Sequence, residues 1–129
     1  MATIFTKIIN GEIPCYKIAE DENYFAFLDI NPLTKGHTLV VPKIEDDYIF
    51  NLDEKTYAGL MLFAKRVAHA IEAAVPCKRV GVAVLGMEVP HVHVHLVPLN
   101  SEKDMIISNP KLKLEPAEMQ KIATEISAR

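Results

Sequence analysis

The sequence predicts an α+β fold, and three observations carry that expectation. Short β-branched and aromatic runs recur at five places. Longer stretches with apolar residues at steps of three and four lie among them. The links between neighbouring strand runs are short and polar, which favours antiparallel pairing over crossovers. The chain has 129 residues, half of them apolar and about a quarter charged. That length fits one ordered domain, 1–129, able to bury a core without staples. No repeat, linker or low-complexity tract divides it.

From the start, Ile4, Phe5, Ile8 and Ile9 fall at helical spacing. They predict a short helix from Thr3 to Ile9, closed by Asn10-Gly11. An extended segment follows from Cys15 to Ala19, then a polar turn from Glu20 to Asn23, then a strand from Tyr24 to Leu28. Asp29 to Gly36 is rich in turn formers. His37 to Val41 is β-branched and is stopped by Pro42. Asp46 to Asn51 offers one loose helical turn. Asp53 caps a long helix to about Ala74, with Leu60, Ala64, Val67 and Ile71 as its buried stripe. Pro76 ends it. Two more strands are expected, Arg79 to Leu85 and His91 to Val97, joined by a short hairpin-like link from Gly86 to Pro90. Ser101 to Lys113 reads as polar and mobile. Glu115 to Ser127 reads as a closing amphipathic helix with Met119, Ile122 and Ile126 on one side.

The formal charge is −3 without a run of either sign. Long-range attraction therefore gives no help in gathering a nucleic acid, and none is expected as partner. Cys15 and Cys77 do not form a secreted disulfide pattern and are read as free, half-buried thiols. The opening residues lack the layout of a signal peptide. No apolar stretch approaches the roughly 20 residues needed to span a bilayer, so no membrane partner is expected. A cytoplasmic location is the expectation.

The chemistry concentrates in His91-Val92-His93-Val94-His95-Leu96-Val97, which holds three of the five histidines. On a strand, alternate side chains share a face. His91, His93 and His95 would form a row about 7 Å apart, backed by Val92, Val94 and Leu96 facing the core. Two chemical readings stay open. Imidazoles bind metals such as zinc. Alternatively, one imidazole acts as a nucleophile, because neutral histidine predominates just above its pKa of about 6.5. A straight row converges poorly on one tetrahedral ion, and no cysteine pair is at hand to complete a site.

The histidine run resembles the signature of the histidine triad (HIT) family of nucleotide-binding proteins, His-φ-His-φ-His-φ-φ with φ apolar. The stretch FAFLDINPLTKGHTLVVPK, residues 25–43, and the opening IFTKIINGEIP are similar to two further motifs of that family. The resemblance is strongest over residues 3–98, leaving 101–129 as a C-terminal extension. It implies a five-stranded antiparallel sheet with one long helix and short flanking helices, and a homodimer joined sheet to sheet. It makes His93 the nucleophile that forms a nucleotidyl-histidine intermediate. His95 would bond the α-phosphate or the bridging oxygen, a carbonyl near His91 would orient His93, and His37 would support the cluster. Asp29 would accept from ribose hydroxyls. Phe5, Ile8, Phe27 and Ile30 would form the base slot, and Gly86 and Glu88 would lie beside the phosphate.

Two departures stand out. The Cys-x-x-Cys that begins a zinc site in many bacterial members is replaced by Thr3 and Thr6. The histidine expected after Pro42-Lys43 is missing from Ile44-Glu45-Asp46, so no metal and no other cofactor is expected. The loop before the triad, GVAVLGMEVPH, is short and carries Met87 and Glu88 where the family has polar phosphate ligands. The leading expectation is a hydrolase or transferase acting on a purine nucleotide conjugate such as a nucleoside phosphoramidate. The alternatives are a weakly catalytic nucleoside monophosphate binding module and, third, a metal-dependent hydrolase.

Overall fold

The computed structural model describes residues 2–129. Its elements run α1 (Ile4–Ile9), β1 (Lys17–Glu20), β2 (Tyr24–Leu28), β3 (Thr38–Pro42), α2 (Glu54–Ala74), β4 (Arg79–Ala83), β5 (Val94–Leu99) and α3 (Pro116–Ser127). Single 3₁₀ turns lie at Ile49–Asn51 and Glu102–Met105. The five strands form one antiparallel sheet in the order β1-β2-β3-β5-β4. This is the α+β class read from the sequence.

Each helix starts for a visible reason. The Thr3 hydroxyl accepts from Thr6 N–H at 3.1 Å and caps α1, which ends at Asn10 before Gly11 with φ +80°. Asp53 accepts from Thr56 N–H at 2.7 Å and caps α2. Such caps contribute about 1 kcal/mol each. Pro116 opens α3, where its missing N–H costs nothing.

The sheet is covered on both sides. Tyr24, Ala26 and Leu28 of β2, Val40 of β3, and Val94 and Leu96 of β5 pack beneath α2 and α3. The expected α2 stripe of Leu60, Ala64, Val67 and Ile71 is buried there, as are Met119 and Ile126, with Ile122 partly so. The alternate residues Phe25, Phe27, Leu39 and Val41 face the other way and pack with Phe5 of α1. The cavity described below lies on that second side. β4 closes one end of the sheet and leaves its outer edge open, with Val82 more than half exposed.

Several boundaries differ from the sequence reading. The first strand begins at Lys17 rather than Cys15, and β4 ends at Ala83 rather than Leu85. The last strand spans Val94–Leu99, so His91 and His93 precede it. Their segment is held otherwise: His91 N–H bonds to Val89 O, and Val92 N–H bonds to Asp46 O at 2.6 Å. The loop after β3 takes the hydrogen bonds that a strand ladder would have used. Ser101 to Lys113, expected to be mobile, carries a 3₁₀ turn with a Ser101–Asp104 capping box, and Leu112 N–H bonds to Pro32 O at 2.8 Å.

Candidate active site

A cavity of about 250 Å³ opens between α1, the ends of β2 and β3, and the histidine segment. That volume is near the lower end of small-molecule sites. Phe5, Ile8, Phe27 and Ile30 line it, as do Asp29, Glu88, His93 and His95. Ile30 is 68% exposed, so it forms a rim rather than a closed wall. Cys15, Leu39 and Val89 also line the cavity and are not site residues in the sequence reading. Leu39 and Val89 lie within stretches that the resemblance covers, and Cys15 directly follows one.

Gly86, expected beside the phosphate, is not among the residues that line this cavity. Its φ is +71° and a Cβ there would meet Asp47 O at 3.3 Å. It serves the turn after β4 instead, where a left-handed backbone favours glycine. His91 and His37 lie behind the cavity wall, with 0% and 2% exposure. The three triad rings do not form one exposed row. His93 and His95 stand edge to face with centroids 5.0 Å apart, and His91 turns back toward Thr3 and Pro42.

The protons on these rings follow from groups whose roles are fixed. Pro42 O can only accept, so His91 Nε2–H donates to it at 2.8 Å. His91 Nδ1 is then an acceptor, and the Thr3 hydroxyl donates to it at 2.7 Å. His91 O likewise only accepts, so His93 Nδ1–H donates to it at 2.7 Å. Leu33 N–H donates to His37 Nδ1 at 3.0 Å, so His37 Nε2 carries the proton and gives it to His95 Nδ1 at 3.0 Å. His95 is left with Nε2–H. Of the four clustered histidines, His93 alone presents an unprotonated ring nitrogen, Nε2, without a donor. Phe5 meets the His93 ring edge to face at 5.1 Å and fixes its plane.

Burial keeps the supporting rings neutral. It drives the His37 pKa down to about 3 and that of His95 to about 4, each helped by neighbouring histidines. Burial also lowers His91. Asp29 is pushed up by burial, against the Asn31 N–H bond at 2.9 Å that favours its ionised form. Asp29 Oδ2 lies 3.6 Å from His37 Nε2. With His37 neutral this is neither an ion pair nor a well-formed hydrogen bond.

Asp29, His37 and His95 each offer one ligand atom, all within 4.8 Å of one another. An ion there would need the lone pair of His37 Nε2. The ring proton would then move to Nδ1, where it would face the Leu33 N–H, donor against donor. The donor set is built for a hydrogen-bond relay and fits an ion poorly. Thr3 and Thr6, and Glu45 in the segment after Pro42-Lys43, stand where the resemblance puts zinc ligands, and hydrogen bonds join them to one another and to His91. The resemblance marks the segment of Glu45 only by a missing histidine, not as an acceptor for α1. Its partners Thr3 and Thr6 lie about forty residues away.

Residues 10–102 match the HIT domain family, and the chain belongs to that family. It is 36% identical over 132 aligned positions to an uncharacterized HIT-like protein of Borreliella burgdorferi, covering 96% of this chain and 95% of the relative. It is equally similar, 36% over 132 positions, to an adenosine 5'-monophosphoramidase of Schizosaccharomyces pombe, covering all of this chain and 98% of that protein. Among solved structures, a HIT-like protein from Bartonella henselae superimposes with a TM-score of 0.86 at 28% identity, covering 98% of this chain and 94% of that one. No helix among the described residues is long and apolar enough to cross a membrane.

Proposed function

We propose that this protein is a nucleotide hydrolase that cleaves a purine nucleoside phosphoramidate through a nucleotidyl intermediate on His93. The observation that carries this reading is the lone free lone pair of the cluster. His93 lines the cavity, and with its Nδ1–H bound to His91 O at 2.7 Å the free lone pair is on Nε2. The phosphoramidase activity named for the fission yeast relative supports it.

In this reading, Asp29 accepts from the ribose hydroxyls, and the base lies among Phe5, Ile8, Phe27 and Ile30. His93 Nε2 attacks the α-phosphorus. The P–N bond breaks with its electron pair going to nitrogen, which takes a proton from water at the cavity mouth and leaves as an amine. Positive charge now sits on the His93 ring, and its Nδ1–H bond to His91 O becomes charge-assisted. That gain arises only as the reaction proceeds, so it lowers the barrier rather than tightening the ground state. His95 Nε2–H donates to a phosphoryl oxygen. A water then attacks phosphorus, the P–Nε2 bond breaks, and the nucleoside monophosphate departs with its proton released to solvent.

The decisive experiment follows adenosine 5'-phosphoramidate turnover in wild type and His93→Ala. Wild type turns over and the variant loses on the order of 10³-fold or more in kcat, as removal of a nucleophile does. Equal rates would reject the mechanism. Glu88 in the cavity wall, an anion beside the phosphate, favours a second reading as an AMP-retaining module. Tight AMP binding without any turnover is its signature. Pairing of two copies along the open β4 edge belongs to the same proposal, and a single-chain mass in sedimentation would reject the pairing.

A further inference from the structure

We propose that Thr3 and Glu45 form a positioning clasp that fixes His93 from behind, acting through His91. This deepens the nucleophile assignment above and rests on it for its kinetic consequence.

The clasp is a continuous chain of donors and acceptors. Glu45 Oε2 accepts from the Thr3 backbone N–H at 3.1 Å and from the Thr6 hydroxyl. Thr6 N–H donates to the Thr3 hydroxyl oxygen at 3.1 Å, and the Thr3 hydroxyl proton goes to His91 Nδ1 at 2.7 Å. His91 Nε2–H reaches Pro42 O, and His91 O holds His93 Nδ1–H. Glu45 thus ties the first turn of α1 to the loop after β3. Thr3 ties that same turn to the ring behind the nucleophile. The α1 residue Phe5 also packs on both rings, with centroids 5.7 Å from His91 and 5.1 Å from His93.

Removing the Thr3 hydroxyl leaves His91 Nδ1 without a donor in a site closed to water. Only its Nε2–H bond to Pro42 O then fixes the ring, which is free to shift and to carry its main chain with it. Its main chain carries the carbonyl that orients His93. Glu45 is exposed, so its loss loosens α1 without emptying the core. Neither residue lines the cavity that would receive the nucleotide. The effect of Thr3, passed on through His91, therefore falls on kcat rather than on substrate binding, whereas loosening α1 through Glu45 also reaches Phe5 and Ile8.

The test uses Thr3→Val, Thr3→Ser and Glu45→Ala in the full chain. Two readouts are combined: kcat and KM for adenosine 5'-phosphoramidate, and ¹⁵N chemical shifts of the histidine rings, which report tautomers without substrate. In Thr3→Val, kcat falls about 10-fold or more with KM changed less than about twofold, the mark of a misplaced reacting group. The His91 Nδ1 signal moves toward that of a lone pair without a donor, and the His93 ring signals shift as the carbonyl that holds its Nδ1–H moves. Glu45→Ala moves both readouts in the same direction by less, and Thr3→Ser restores both. Should Thr3→Val fail to fold, Glu45→Ala decides. Folded Thr3→Val or Glu45→Ala with wild-type ring signals overturns the clasp, and so does a Thr3→Ser as impaired as Thr3→Val. Absence of turnover in wild type would strike the hydrolase reading alone, because the ring signals still test the clasp.

Discussion

Leu33 donates its backbone N–H to His37, and that bond sets two tautomers in series, leaving His95 with a proton on Nε2. A main-chain donor cannot be titrated or removed by a side-chain change, so the relay is stable across the working pH range. Asp29 stands beside it with Oδ1 taken by Asn31 N–H and Oδ2 without a close donor. A carboxylate so placed in the cavity wall suits a pair of sugar hydroxyls. Asp29→Asn swaps an acceptor for a donor, and a hydrogen bond to a charged group is worth about 1.5–3 kcal/mol. Calorimetry should show AMP affinity falling on the order of 10- to 100-fold, with a much smaller loss for 2'-deoxy-AMP, which already lacks one hydroxyl. Equal losses for the two ligands would remove the ribose role. At this scale the period-two histidines and the aspartate before Asn31-Pro32 are visible in the sequence. The proton pattern is not, because it depends on Thr3, Leu33 and Pro42, which come near the triad only through the fold.

Helix α2 shows how packing overrides local preference. Gly59 lies inside it, where alanine would be favoured by about 1 kcal/mol on backbone grounds alone. A Cβ at Gly59, however, would lie 2.0 Å from Tyr24 Oη and 2.8 Å from Tyr24 Cζ. Tyr24 is buried, and its hydroxyl donates to Thr56 O at 3.0 Å, so the ring has little room to retreat. Gly59→Ala is therefore expected to destabilise by about 1–3 kcal/mol, as overpacking does. In a Tyr24→Phe background the same change should cost less, because the closest clashing atom is gone. Urea melts of the four proteins of that cycle measure the coupling, and a stabilising Gly59→Ala would refute the account. The α2 stripe at Leu60, Ala64, Val67 and Ile71 is legible from periodicity alone. The reason for Gly59 is not, since it lies on β2, thirty-five residues earlier. The same holds for β5: alternation in His91–Val97 looks like one strand, yet Asp46 O takes the Val92 N–H and delays the ladder to Val94.

Across the whole molecule, the strands read as antiparallel from their short links, whereas the burial of both sheet faces depends on α1, whose coverage the sequence leaves open. That burial holds His37 and His91 away from water and leaves His95 partly buried in the cavity wall. His37 titrates at about 3 and His95 at about 4, with His91 also lowered, against about 6.5 for each in the unfolded chain. Below pH 6.5 the unfolded chain binds protons that the folded chain refuses, so stability falls as pH falls. The loss continues until the folded rings titrate near pH 3–4. Asp29, raised by burial, works the other way and offsets a part of it. The lowered carboxylates Glu20, Glu45 and Asp53 act only near and below their ordinary values of about 4, which leaves the interval from pH 7 to 5 to the histidines. Over that interval His37 and His95 should each cost about 2 kcal/mol. Urea unfolding at pH 7, 6 and 5 reads the slope directly. His37→Asn should remove about 2 kcal/mol of that change, and a wild-type stability that stays level from pH 7 to 5 would show that these rings are protonated in the folded protein after all.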